Sequence, residues 1–251
     1  MRIVFLHGIG GLAKGFDTHV AYFAKQGFDA IAFNQSGYGG QPLIEPYTFG
    51  AAAQILYESL RSRPSQATIL VGHSMGGMLA QTLAIMNSNF NTPLNLAALI
   101  LAQTSPAFGN KDGLFQQRFI ADRTAPLDAG KTMADVAAKL VPGMVGPNCP
   151  EVVRAFCASL MAQVPAQTYR AALSALVTFD ARPSLSLISL PVLCLAAEHD
   201  KTAPVAVLEK LAAKLPNGYF ENLPGVGHLA PLENPELFCS AIEHFLKKVL
   251  V

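Results

Sequence analysis

Tryptophan is absent from this 251-residue chain, charged side chains make up only 14% of it, and cysteine occurs four times. Each scarcity excludes something. Eighteen basic residues against 17 acidic ones leave a net charge of +1, and no Lys/Arg cluster offers a footing for phosphate backbones, so nucleic acid is not an expected partner. Apolar runs such as "LNLAALILA" are far too short to span a bilayer, so no membrane partner is expected. The start, "MRIVFLHG", enters a strand pattern directly, without an apolar leader and cleavage site, and reads as a cytoplasmic protein. Cys149, Cys157, Cys194 and Cys239 form no C-x-x-C pair and keep no company with histidine. They are expected to be reduced, packed thiols, with no metal site and no cofactor. Oligomeric state is left open.

Short apolar runs are plentiful, and they alternate with helical patterns. Strands are predicted at 2–8, 29–34, 67–73, 96–103, 191–198 and 218–225, and helices at 16–26, 48–62, 75–87, 204–215 and 235–249. The strand candidates are continuously apolar, as in a parallel sheet covered on both faces. Asn234-Pro235-Glu236 supplies an N-cap, a first-turn proline and a first-turn acid for the last helix. Strand–helix alternation with short connections indicates an α/β sheet flanked by helices. One segment breaks the rhythm. Residues 104–190 hold seven of the 17 prolines and no strong strand. Helices are predicted there at 112–124, 130–141, 150–163 and 165–179, as a cap between a core of 1–103 and 191–251.

The chemistry is written in "ILVGHSMGG", residues 69–77. Gly72-His73-Ser74-Met75-Gly76 fits G-x-S-x-G, a strand-to-helix corner that pushes a serine hydroxyl out beyond the end of a strand. The flanking glycines remove side chains that would collide, and Gly77 lets the helix lie close to the sheet. Serine attacks a carbonyl only if a base takes its proton and a carboxylate orients that base. Asp200, after the fifth predicted strand, and His228, in a glycine-rich turn after the sixth, supply both in the order Ser…Asp…His. The Met75 N–H at the helix start and the Ile9 N–H of "LHGIGG" are the expected oxyanion donors, with Gly10 a substitute for Ile9.

In "HGIGG", "GHSMGG", "AAEHDKTAP" and "GVGHLAPLENPE" the chain resembles the α/β-hydrolase superfamily, and within it small bacterial hydrolases of the 3-oxoadipate enol-lactonase type. The resemblance implies a mainly parallel sheet with a helical cap inserted after the fourth strand. Relatives carry an N-terminal hairpin that this sequence lacks, so six strands are implied. Asn34 stands where many relatives have Asp.

The expected activity is cofactor-free hydrolysis of a small-molecule ester, lactone or thioester through an acyl-enzyme. Two alternatives are C–C bond hydrolysis of ring-cleavage products, which uses the same triad, and ligand binding by a receptor on the same fold. Phe108, Phe119, Met144 and Arg118 are candidates for substrate contact, with Phe115, Met133, Phe156, Met161, Arg123 and Arg182 as further possibilities. His7 and His73 are expected to hydrogen-bond the local backbone, and Glu233 to fix the turn before the last helix.

Overall fold

The computed structural model describes residues 1–109 and 113–250. Six strands, β1 (Arg2–Leu6), β2 (Asp29–Phe33), β3 (Thr68–His73), β4 (Leu96–Ala102), β5 (Val192–Ala197) and β6 (Gly218–Leu223), form one sheet in the order β2-β1-β3-β4-β5-β6. Every pairing is parallel. All strand carboxyl ends therefore open on one edge of the sheet, and the loops there can share a site.

The two-residue alternation of a strand sorts its side chains into two apolar layers. Val4, Leu6, Leu70, Leu99 and Leu101 pack on one face, beneath α2 (Phe49–Arg61), α3 (Met75–Met86) and α8 (Val205–Lys214). Ile3, Phe5, Ile69, Val71 and Ile100 pack on the other, beneath α1 (Asp17–Ala24) and α10 (Pro235–Val249). Both faces are covered, which is why β1 and β3 are buried throughout and apolar at most positions. Local signals end these elements as expected: the Asn234 side chain accepts from Leu237 N–H and Pro235 opens α10.

Between β4 and β5 the chain builds α4 (Leu114–Asp128), α5 (Met133–Leu140), α6 (Glu151–Ala162) and α7 (Ala166–Leu176). Their apolar residues, Met133, Val136, Leu160, Met161, Tyr169 and Leu173 among them, belong to the same buried cluster as Val4 and Leu6. The insert is thus packed down on the sheet. The helix predicted at 112–124 differs most: residue 112 lies outside the described residues, and α4 runs on to Asp128 with Pro126 inside its last turn. A short helix, α9 (Ala230–Glu233), precedes α10 and adds to the predicted elements. Among the described residues no helix is long and apolar enough to cross a membrane.

Candidate active site

β3 ends at His73 and α3 begins at Met75, so Ser74 alone makes the corner, with φ 53° and ψ −119°. A non-glycine residue at positive φ costs about 1–3 kcal/mol and persists only where its surroundings enforce it. Those surroundings are tight. A β-carbon on Gly72 would lie 2.4 Å from the Gly76 carbonyl oxygen, and one on Gly76 would lie 2.2 Å from that of Leu6. Gly77 sits against Thr104, whose hydroxyl donates to the Ser74 carbonyl at 2.7 Å. The Ser74 N–H donates to the Ala102 carbonyl at 2.9 Å, which pins the corner to the neighbouring strand.

The structure brings Ser74, His228 and Asp200 into one hydrogen-bonded line. Ser74 Oγ lies 3.0 Å from His228 Nε2, and His228 Nδ1 lies 2.8 Å from Asp200 Oδ2. An ionised carboxylate only accepts, so Nδ1 carries the proton and Nε2 is left to take one from serine. Asp200 Oδ1 accepts from the N–H groups of Thr202 and Ala203 at 2.7 and 2.9 Å. Asp200 and His228 are only 5% and 2% exposed, so their attraction is little screened. Glu198, an alternative acid by sequence distance, instead accepts from Gly225 N–H, and His199 is exposed at the rim.

The first strand–helix loop is held by a second network. His7 is buried, and burial holds its imidazole down at about 4, hence neutral. Its Nε2 accepts from Gln35 N–H at 3.2 Å, and its Nδ1 lies 2.8 Å from the Gly8 carbonyl. Gly11 N–H also donates to that carbonyl, at 3.0 Å. In a trans peptide the N–H points opposite to the C=O, so fixing the Gly8 carbonyl turns the Ile9 N–H the other way. The Ile9 carbonyl is held by the Tyr38 hydroxyl at 3.1 Å. Among the described residues, neither the Ile9 nor the Met75 N–H meets a protein acceptor. Asn34 ties down the same loop, its Oδ1 accepting from Ala13 N–H at 2.8 Å.

His73 departs from expectation. Its Nε2 lies 2.7 Å from the backbone carbonyl of His228, far along the chain rather than local. A carbonyl only accepts, so Nε2 bears the proton. Burial first, and the His228 ring beside it second, pull His73 down to about 3. Glu233 also reaches further than its own turn. Its carboxylate accepts from Gly227 N–H at 3.0 Å, next to His228, and from Gly146 N–H of the insert at 2.6 Å. Burial raises its pKa against these donors.

Two cavities meet at Ser74. The smaller, about 60 Å³, is walled by Gly15, Val141, Cys157, Leu160, Leu229 and Leu232. The larger, about 320 Å³, runs under the insert past Thr104, Phe108, Phe119, Arg123 and Tyr169. Ile9, Gly10, Met144, Met161 and His228 line both. A β-carbon on Gly10 would come within 3.1 Å of Met161 Cγ, so glycine there keeps the passage between them open. Arg118, a candidate for substrate contact, is exposed and lines neither cavity. Five residues on, Arg123 takes the inward place. Phe115 and Phe156 are largely exposed, Met133 is packed in the core, and Arg182 pairs with Asp180 at 2.6 Å. The four cysteines are buried and free, and burial pushes Cys157, Cys194 and Cys239 up to about 12, which keeps them as unreactive thiols. Among the described residues no grouping of three or more His, Cys, Asp or Glu side chains offers a metal site.

A family model described as alpha/beta hydrolase fold matches residues 2–235. The chain is 27% identical over 250 residues to 3-oxoadipate enol-lactonase 2 of Acinetobacter baylyi, covering 98% of this chain and 88% of that protein. Among solved structures, the enol-lactonase from Burkholderia xenovorans superposes with a TM-score of 0.84 at 21% identity, over 98% of this chain and 91% of that one. The esterase from Exiguobacterium antarcticum does so with a TM-score of 0.86 at 20% identity, over 98% and 92%. At such identity the superpositions speak for the fold alone.

Proposed function

Since the chain belongs to the alpha/beta hydrolase fold family and is a hydrolase, we propose that it is a serine hydrolase acting on a small carboxylic ester, lactone or thioester. One observation carries this reading: Ser74, His228 and Asp200, from three separate strand ends, lie in a single hydrogen-bonded line at 3.0 and 2.8 Å. A half-buried serine in a strained corner, beside an imidazole whose tautomer a buried carboxylate sets, is equipped for attack on a carbonyl.

His228 Nε2 takes the Ser74 proton as Oγ bonds to the carbonyl carbon. The carbonyl oxygen gains negative charge and is held by the Ile9 and Met75 N–H groups, with the positive end of α3 behind Met75. The imidazolium, stabilised by Asp200, returns the proton to the leaving oxygen or sulfur, and the acyl group stays on Ser74. Water then attacks the acyl carbon, His228 takes its proton, and Ser74 is released with the acid. The walls of both cavities are largely apolar, which suits a modest organic group on either side of the scissile bond. The similarity to an enol-lactonase at 27% identity is consistent with this substrate range.

The test is a fluorophosphonate probe on the purified protein, followed by peptide mass analysis, with hydrolysis of p-nitrophenyl acetate and a small lactone measured in parallel. The expected adduct is on the peptide bearing Ser74, and Ser74→Ala should lose at least about three orders of magnitude in turnover while remaining folded. An adduct elsewhere, or undiminished hydrolysis by the alanine variant, overturns the reading.

A further inference from the structure

The larger cavity has a charged end that catalysis at Ser74 does not use. Arg123, on α4, is half-buried and lines the cavity, with its guanidinium carbon 3.4 Å from the centre of the Phe119 ring. That stacking holds the plane of the fork and leaves its N–H edge free. Among the described residues Arg123 makes no ion pair and no hydrogen bond, whereas Arg2, Arg61, Arg154, Arg170 and Arg182 all pair with carboxylates. Facing the same space from α7 is Tyr169, only 1% exposed, whose hydroxyl likewise has no partner among the described residues. Lys139, in the last turn of α5, also lines this space, and among the described residues no Asp or Glu does. A partly desolvated cation carries a cost that a bound anion offsets, and the Tyr169 hydroxyl, which meets no protein acceptor among the described residues, can donate to the same anion.

We propose that Arg123 and Tyr169 form a carboxylate-binding end of the larger cavity, so that the preferred substrates are small esters or lactones carrying a free carboxylate remote from the scissile carbonyl. The fork of Arg123 matches the two oxygens of a carboxylate, Tyr169 donates a further hydrogen bond, and Lys139 adds positive potential at the rim. The apolar stretch between, with Phe108, Phe119 and Met144, takes the connecting carbons. This assignment rests on Ser74 being the nucleophile of the proposed hydrolase, but its binding component can be tested without turnover.

The experiment compares monomethyl glutarate with methyl 4-carbamoylbutanoate, its neutral isostere, followed as acid release. Wild-type kcat/KM should favour the anionic ester by about tenfold or more, because a site built for a charged group strongly rejects one lacking it. The ratio should collapse in Arg123→Gln, survive in part in Arg123→Lys, and persist in Arg118→Gln, whose side chain lies outside the cavity. In the second arm, Ser74→Ala is titrated calorimetrically with glutarate and with inorganic phosphate, with and without Arg123→Gln. Glutarate affinity should drop at least about tenfold on adding the arginine change, which removes a charge-assisted pair. Equal kcat/KM for the two esters, or glutarate affinity indifferent to Arg123, overturns the proposal, and tighter binding of phosphate than of glutarate overturns its carboxylate assignment. Arg123-dependent glutarate binding without hydrolysis of any ester would uphold the anion site and sink the hydrolase reading.

Discussion

His73 donates its ring N–H to the backbone carbonyl of His228, so the residue before the nucleophile holds the base that serves it. The two rings lie 5.3 Å apart, and the bond is buried. Breaking it leaves a carbonyl unpaired and costs on the order of 1–3 kcal/mol. His73→Phe should lower kcat by roughly 10- to 100-fold with little change in KM, since the loss falls on alignment of the base. Fluorophosphonate labelling of Ser74 should slow in step, and His73→Gln, which keeps a donor, should recover part of both. Unchanged kcat alongside a lowered Tm would assign His73 to stability alone.

Asp200→Asn keeps the shape of the acid but removes the charge opposite His228 Nδ1, and its amide favours the wrong tautomer. Turnover should fall by about two to four orders of magnitude. Glu198→Gln should stay near wild type, because Glu198 accepts from Gly225 rather than from His228. The reverse ranking of these two variants would move the acid to Glu198.

Three buried histidines make stability depend on pH. Burial holds His7 and His19 at about 4 and His73 at about 3, whereas in an unfolded chain each titrates near 6.5. Around His19 lie the rings of Phe5, Phe16 and Phe238, with the Phe16 and Pro231 backbone tempering the effect of burial. Below about pH 6.5 the unfolded chain binds protons that the native protein refuses. Their contribution is therefore complete above pH 6.5 and is lost as pH falls towards the native values. Each histidine adds a slope of on the order of 1.4 kcal/mol per pH unit within that window. Urea midpoints measured from pH 7 to pH 5 should fall steeply, and His19→Leu should flatten the slope by about a third. A midpoint independent of pH would contradict this account.

Glu233 joins Gly146 of the insert to Gly227 of the histidine turn. Its neutral isostere cannot accept at both ends, since a glutamine amide would set N–H against N–H. Glu233→Gln should cost about 1–3 kcal/mol in calorimetric stability. Limited proteolysis should then cut first between β4 and β5. A variant with wild-type Tm and an intact insert would show that the two N–H groups find other partners.

The residues just after the base bear on which bond is cleaved. The stretch Leu229-Ala230-Pro231-Leu232-Glu233 that follows His228 carries no aromatic side chain. Leu229 and Leu232 wall the smaller cavity without a flat stacking face or an indole donor. Esters and lactones should be hydrolysed with at most trace cleavage of 2-hydroxy-6-oxo-dienoates. A tenfold kcat/KM preference for the dienoate would reverse that choice.

Much of the core is legible in the sequence because its signals are local. The predicted strands match all six to within two residues at each end, and "GHSMG" places Ser74 on the corner it occupies. The order of Ser74, Asp200 and His228 comes from where strands end. The rest depends on which distant surfaces meet. Nothing near His73 announces a carbonyl 155 residues away. α4 scatters its apolar residues around the helix without one apolar face, so its pattern does not say which side turns inward, and Arg118 and Arg123 look alike in sequence. Its proline suggests an earlier stop, yet Pro126 sits in the last turn, where the chain tolerates it. The network of Gln35 and Tyr38 around the Ile9 loop joins loops whose proximity only the sheet order creates.

β6 lies at the edge of the sheet and pairs with β5 alone. The turn leaving it carries His228, 154 residues along the chain from the hydroxyl it faces. During synthesis the corner bearing Ser74 emerges long before its base, and contacts of such long sequence separation close late. Until the edge strand docks, the nascent or partly unfolded protein carries an inert alcohol rather than a nucleophile. Recovery of turnover after dilution from denaturant therefore requires that edge strand to be in place.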